Sequence, residues 1–269
     1  MSNRYLDGLD FGRGPATRLF AVALWLSLSA TLVPLFLDMD RWIVAVFGVT
    51  STVIVFAMIL SNRHGGEVAQ GLELAGLDRL RGDFDGALVR YRELASHRLP
   101  AHSRALILLG LGECAEAAGE FREAAEVFAR GEGLLRTGRR TMATNQLLPL
   151  LGARRAFALA ACGLVEPALA ALRSTEHEDG FPQAVALVSR AALLIDTKLG
   201  RFADVRDRVS RERAIHRNAF GGRDRAFVRA VSTYARRKLT GEDVRTTTPS
   251  AEAKAWILRA ASECAEAMQ

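Results

Sequence analysis

Hydrophobic positions are spread unevenly along the chain. Leu19 to Leu37 is a run without a charge, and Trp42 to Leu60 is a second one. Each matches the length of an α-helix that crosses a bilayer, about 20 residues. Asp38-Met39-Asp40-Arg41 joins them, so residues 19–60 are expected to form a transmembrane helical hairpin. A cleaved signal peptide fits the first run poorly, because no small-residue cleavage pattern follows and a second apolar run comes at once. Ala23, Ser27 and Thr31 recur every four residues in the first run, as do Gly48 and Thr52 in the second, which marks faces suited to close helix contact within the hairpin or in a homo-oligomer such as a dimer. Neither run holds an ionisable side chain, which argues against a transporter and for an anchor.

Orientation follows from the basic flanks. Arg4, Arg13 and Arg18 precede the first run, Arg41 stands alone in the loop, and Arg63, Arg79 and Arg81 follow the second. Residues 1–18 and everything after the hairpin are therefore expected on the cytoplasmic side of an inner membrane. Gly65-Gly66 closes a linker over 61–66 and marks a domain boundary.

Beyond it one phrase recurs, starting at Gly82, Gly119, Gly163 and Gly200. Two residues after each glycine stands a large apolar side chain (Phe84, Phe121, Val165, Phe202). Five after it stands a small one (Ala87, Ala124, Ala168, with Val205 in the fourth copy), and nine after it another apolar one (Tyr91, Phe128, Leu172, Val209). The glycine permits a tight turn between helices, and the small residue marks their closest approach. The starts are separated by 37, 44 and 37 residues, the scale of stacked helix–turn–helix units. Some other irregular helical bundle is the competing architecture.

These residues resemble the tetratricopeptide-repeat family. The second copy carries the resemblance best, with Leu111-Gly112 ahead of Gly119, Phe121, Ala124 and Phe128; Ala75 and Ala156 hold the position of Gly112 in two other copies. The fourth copy has Leu193 and Val205 at the small positions, and no copy has the family's tryptophan or closing proline. The resemblance implies an all-α solenoid of about four repeats over 67–213, with helices in 214–269 capping it. It also implies a concave groove on the first helix of each hairpin. That groove would present Leu72, Arg79, Leu109, Glu113, Glu116, Phe157, Arg190, Leu194 and Lys198 to a partner protein. A helix over about Asp224–Leu239 and another from about Ser250 are expected, the latter with Ile257, Ala261, Cys264 and Met268 on one apolar stripe.

Composition adds the fold class. The chain has 269 residues, 49% hydrophobic and 25% charged, and only 7 prolines, with the Ala, Leu, Arg and Glu content of helices rather than strands. Three widely spaced cysteines, Cys114, Cys162 and Cys264, make neither a disulfide framework nor a zinc site, and they read as buried thiols in a reducing compartment. Nucleotide-binding, nucleophile-elbow and zinc-protease motifs are absent from the sequence. His97, His102 and His177 fall in loops between helices. No enzymatic role, metal or cofactor is expected.

Charge is segregated. Glu67 to Glu132 carries 12 acids against 8 basic residues, whereas Arg201 to Lys238 carries 12 basic residues against 4 acids. The basic third, with Arg206, Arg208, Arg211 and Arg213 at its densest, is a candidate surface for anionic lipid or an acidic protein. A solvated face is the competing reading, since 33 of the 36 basic residues are arginine throughout. Nucleic acid is not expected, because aromatic side chains for base stacking are few. The sequence therefore reads as a membrane-anchored scaffold that binds a partner protein, or as a structural subunit or assembly factor of a membrane complex.

Overall fold

A computed structural model describes residues 3–6, 9, 66–97, 99–138, 141–175, 182–241 and 249–268. The expected transmembrane hairpin of residues 19–60 and the loop around His177 lie outside the described residues. Among the described residues the chain is all-α, without a strand, and no helix is long and apolar enough to cross a membrane.

The helices are α1 (66–80), α2 (Phe84–Ala95), α3 (Ala101–Ala118), α4 (Phe121–Arg136), α5 (Met142–Ala161), α6 (Val165–Thr175), α7 (Pro182–Lys198), α8 (Phe202–Arg211), α9 (Arg213–Ala219), α10 (Gly222–Thr240) and α11 (Ala251–Ala260). A 3-10 helix, Ser262–Met268, follows. They fall into two compact units: α1 and α2 belong to one, within Leu9–Pro100, and α3 onward belongs with residues 3–6 to the other.

The repeated glycines end α1, α3, α5 and α7. All four have positive φ, from 70° to 84°, a backbone state that a Cβ disfavours. At Gly119 the turn is closed by Gly119 N–H donating to the Glu116 carbonyl at 3.0 Å and Glu120 N–H donating to Ala115 at 2.9 Å. The same pair of bonds recurs at Gly82, Gly163 and Gly200, so each turn satisfies carbonyls that a helix end leaves open. Side chains cap other starts: Asp83 accepts from Gly86 N–H at 2.9 Å, and Thr141 from Thr144 N–H at 3.2 Å.

Packing follows the phrase. Ala87, Ala124, Ala168 and Val205 are fully buried, as are Ala75, Ala156 and Leu193. In the α3–α4 hairpin the ring of Phe128 lies directly on Gly112, where an added Cβ would collide with three ring atoms. Successive helices α3 to α6 pack closely on one another, and α5 also packs on α7. The fourth copy differs. Where Leu193 and Val205 replace small residues, α7 has a smaller contact with α8, and α8 packs mainly on α10, with Phe202 edge-on to Tyr234 at 5.5 Å.

Two segments return to this unit from the ends of the sequence. Asn3 donates through Nδ2 to the Glu123 carbonyl (3.2 Å) and to Glu126 (2.9 Å), Arg4 pairs with Glu120 at 2.7 Å, and Tyr5 is buried. The C-terminal segment starts at the N-cap Ser250, whose hydroxyl accepts from Ala253 N–H at 3.3 Å. Ile257, Ala261, Cys264 and Met268 are all buried, although the helix breaks at Ala261 and tightens into the 3-10 turn. This segment does not simply close off the last hairpin, as expected of a cap. It packs on α5 and α10 and reaches back to α3, because Trp256 finds its aromatic partners there.

Candidate functional site

The first helices of the hairpins carry charges inside otherwise apolar sequence, and these charges converge. Arg190 on α7 is 1% exposed and Glu116 on α3 is 0% exposed, yet both bear charge. They form an ion pair at 2.9 Å. Arg190 also donates to Asp224 on α10 at 2.7 Å, and Arg154 on α5 donates to Glu116 at 3.0 Å while pairing with Glu113. Burial alone would push the Glu116 carboxyl up, but Arg190, Arg154 and Arg223 outweigh it and hold that carboxyl below its ordinary range. Asp224 is held down in the same way, chiefly by Arg190 against the effect of burial. A charge this deep is tolerated only when so paired.

Trp256 of α11 completes the constellation. Its ring stacks on Phe157 with centroids 5.7 Å apart and planes 6° from parallel, and it meets Phe121 and Phe227 edge-on. The Arg190 guanidinium lies 4.1 Å from the Phe157 centroid and Arg223 lies 4.5 Å from that of Trp256, both within cation–π range. The indole Nε1–H donates to the Glu116 carbonyl at 2.7 Å. Two further contacts hold the segment: Arg259 donates to the Ala118 carbonyl at 2.6 Å, and Lys198 pairs with Glu263 at 2.9 Å. Glu116 and Arg190 are closed off from solvent, whereas Asp224 and Glu263 stay partly exposed.

The expected groove residues divide accordingly. Glu113, Glu116, Phe157, Arg190 and Lys198 come together around the C-terminal segment. Leu194, Phe157, Glu116 and Arg190 are all almost fully buried, so none of the four lines an open groove, and Leu194 is core packing. Leu109 is half-buried on α3. Leu72 and Arg79 belong to α1 in the other unit. The face is thus occupied by the chain's own residues rather than open.

The expected anionic-surface residues divide as well. Arg206 pairs with Asp207 at 2.8 Å, Arg208 approaches Asp196 at 3.7 Å and Glu212 at 3.4 Å, and Arg211 lies 3.9 Å from Glu212. Arg213 lines a cavity between α9 and α10. Cys114 and Cys264 are buried as expected, and burial pushes the Cys264 thiol up to about 12. Cys162 is exposed, because the helix-ending position it occupies lies at the rim of a turn. His97 and His102 are exposed, and no cluster of metal-ligating side chains occurs among the described residues.

Trp256, Arg154, Asp224 and Arg223 were not foreseen as members of this site. The one available signal was an indole on the polar side of a stripe made by Ile257 and Ala261. No family model matches the chain, and no curated protein or solved structure matches it either.

Proposed function

We propose that the chain is a membrane-tethered helical-repeat adaptor, resembling the tetratricopeptide-repeat solenoids, that binds a partner protein on the cytoplasmic side of an inner membrane. The observation that carries this reading is the docking of α11. The face lined by α3, α5 and α7 accepts an amphipathic helix through one buried indole, a helix-end carbonyl and an ion pair. A partner helix with an aromatic anchor and a basic residue three positions later has the chemistry to take that place.

The tether reading draws support from residues 3–6. Their contacts with α4 require the N-terminus and the helical unit to share one compartment. A chain that crosses a bilayer between residues 7 and 65 must then cross an even number of times, which suits a hairpin at residues 19–60. Reporter fusions test this directly: one after Gln269 reads as cytoplasmic and one within Asp38–Arg41 as external. A C-terminal reporter on the far side overturns the topology.

The alternative is a structural subunit of a membrane complex, with α11 permanently in place. Purifying the full chain from membranes in mild detergent, beside an Arg259→Ala/Glu263→Gln variant, separates the two. An adaptor recovers more partner when the segment is loosened. A subunit co-purifies with its neighbours at one ratio in both preparations. Recovery of no specific protein from either removes both readings.

A further inference from the structure

Several arginines of this unit are neutralised by nearby acids. Arg4, Arg154, Arg155, Arg190 and Arg208 each have a carboxylate within 4 Å. Four exposed arginines are arranged differently. Arg213 and Arg217 sit one turn apart on α9, and Arg225 and Arg229 one turn apart on α10. Among the described residues none of the four has a carboxylate within 4 Å, and Arg225 donates to the Gly221 carbonyl at 3.4 Å. Like charges at that spacing repel along a helix, so the fold itself gains nothing from either pair.

All four line one cleft of about 790 Å³, which lies within the size range of small-molecule sites, about 300–1,000 Å³. Val209 and Val228 supply apolar wall, and the Ser210, Ser232 and Thr233 side chains supply hydroxyls; no carboxylate of the described residues lines it. A second observation is independent of the arginines. His216 also lines the cleft and is 5% exposed; its Nε2 lies 2.7 Å from Ser189 Oγ, but its Nδ1 has no hydrogen-bond partner. A buried ring nitrogen without a partner is costly, and it calls for a polar group that the described residues do not provide. Glu212, the acid beside His216, is engaged by Arg208 and Arg211.

We propose that this cleft binds a multiply charged, phosphate-bearing ligand, held between the arginine pairs of α9 and α10. Guanidinium forks match phosphate oxygens in pairs, and hydroxyls can donate to the remainder. Such a phosphate could be that of a soluble polyphosphate compound or of a phosphomonoester lipid headgroup, and the experiment distinguishes them. The cleft is separate from the face that holds α11, so the proposal stands whether or not the adaptor reading does.

Titration of the full chain in nonionic detergent with inorganic tripolyphosphate forms one arm. The other uses the same micelles doped with phosphatidic acid or, as control, phosphatidylcholine. We expect saturable binding at low salt that fades toward 1 M, where the screening length is about 3 Å. Arg217→Gln/Arg229→Gln weakens it at least tenfold, the loss expected from one charge-assisted bond or more. Arg206→Gln/Arg211→Gln removes the same net charge outside the cleft and changes affinity by less than about threefold. Cleft-dependent binding of tripolyphosphate identifies a soluble ligand, and cleft-dependent binding of phosphatidic acid alone identifies a headgroup. Equal weakening by the two double variants, or no saturable binding in either arm, overturns the proposal.

Discussion

Removing one member of the Glu116–Arg190 pair should be far worse than removing both. Glu116→Leu leaves the guanidinium of Arg190 with Asp224 as its remaining carboxylate, at a position where water does not reach. It also takes one of two acids from Arg154, which keeps Glu113. Stranding a buried charge in this way costs about 3–5 kcal/mol. Arg190→Met strands Glu116 in the reverse sense, though Arg154 still reaches it at 3.0 Å, so about 3 kcal/mol is expected. In the double variant Glu116→Leu/Arg190→Met neither charge remains to be desolvated, and two flexible apolar side chains fill the volume beside Phe157. Its loss should fall short of the sum of the singles by about 2–3 kcal/mol, the upper range for contacting pairs. Urea unfolding of the full chain in nonionic detergent, followed by far-ultraviolet circular dichroism, gives the three midpoints; equal slopes allow them to be compared as free energies. Additivity within about 0.5 kcal/mol would refute the reasoning, because the two groups would then not sense each other.

Stability should decline on acidification in two steps. Burial lowers the His216 pKa, so the unfolded chain binds that proton more readily, and stability falls as pH drops below the ordinary histidine value of about 6.5. Glu116 and Asp224 are held below their ordinary range, so their contribution is complete above about pH 5 and is lost as pH falls through the unfolded and then the folded values. Melting temperatures measured from pH 8 to pH 3 check both steps, and His216→Gln should flatten the first alone. Gly112→Ala should destabilise by about 1–3 kcal/mol through collision with Phe128, despite alanine's better helix propensity. Gly163→Ala meets open space but a φ of 80°, so about 1–2 kcal/mol from the backbone alone is expected; an unchanged melting temperature in both variants refutes the repeat register. Tyr5→Ala should expose residues 3–6 to limited proteolysis while leaving the helical signal intact, and unchanged cleavage argues against their docking on α4.

The turns and the close approaches were legible because their causes are local. A left-handed backbone at the end of a helix selects glycine whatever packs nearby, and the Ala or Gly seven residues earlier or five later follows from the geometry of one hairpin. Glu116 and Arg190 were legible as charges in apolar surroundings, although not as partners of each other. Trp256 was not, because it is 140 residues from the carbonyl it binds and no period links them. Counting charges along the chain located the basic third but chose Arg206, Arg208 and Arg211, whose carboxylate neighbours include one from a different helix, Asp196. The cleft arginines Arg217, Arg225 and Arg229 stood out only once the seven-residue helix α9, too short to be read from periodicity, was set beside α10.

The docking of residues 3–6 also imposes an order on synthesis. Asn3 leaves the ribosome first, but the Glu123 carbonyl it binds is made 120 residues later. At about 5–20 residues per second that is an interval of about 6–24 s. Within it both apolar runs, Leu19 to Leu37 and Trp42 to Leu60, have been translated. The N-terminal contact therefore forms late, and it acts as a seal on a helical unit whose α3 and α4 have already been made. An affinity tag fused ahead of Asn3 would interfere with that seal, whereas one after Gln269 would not touch it.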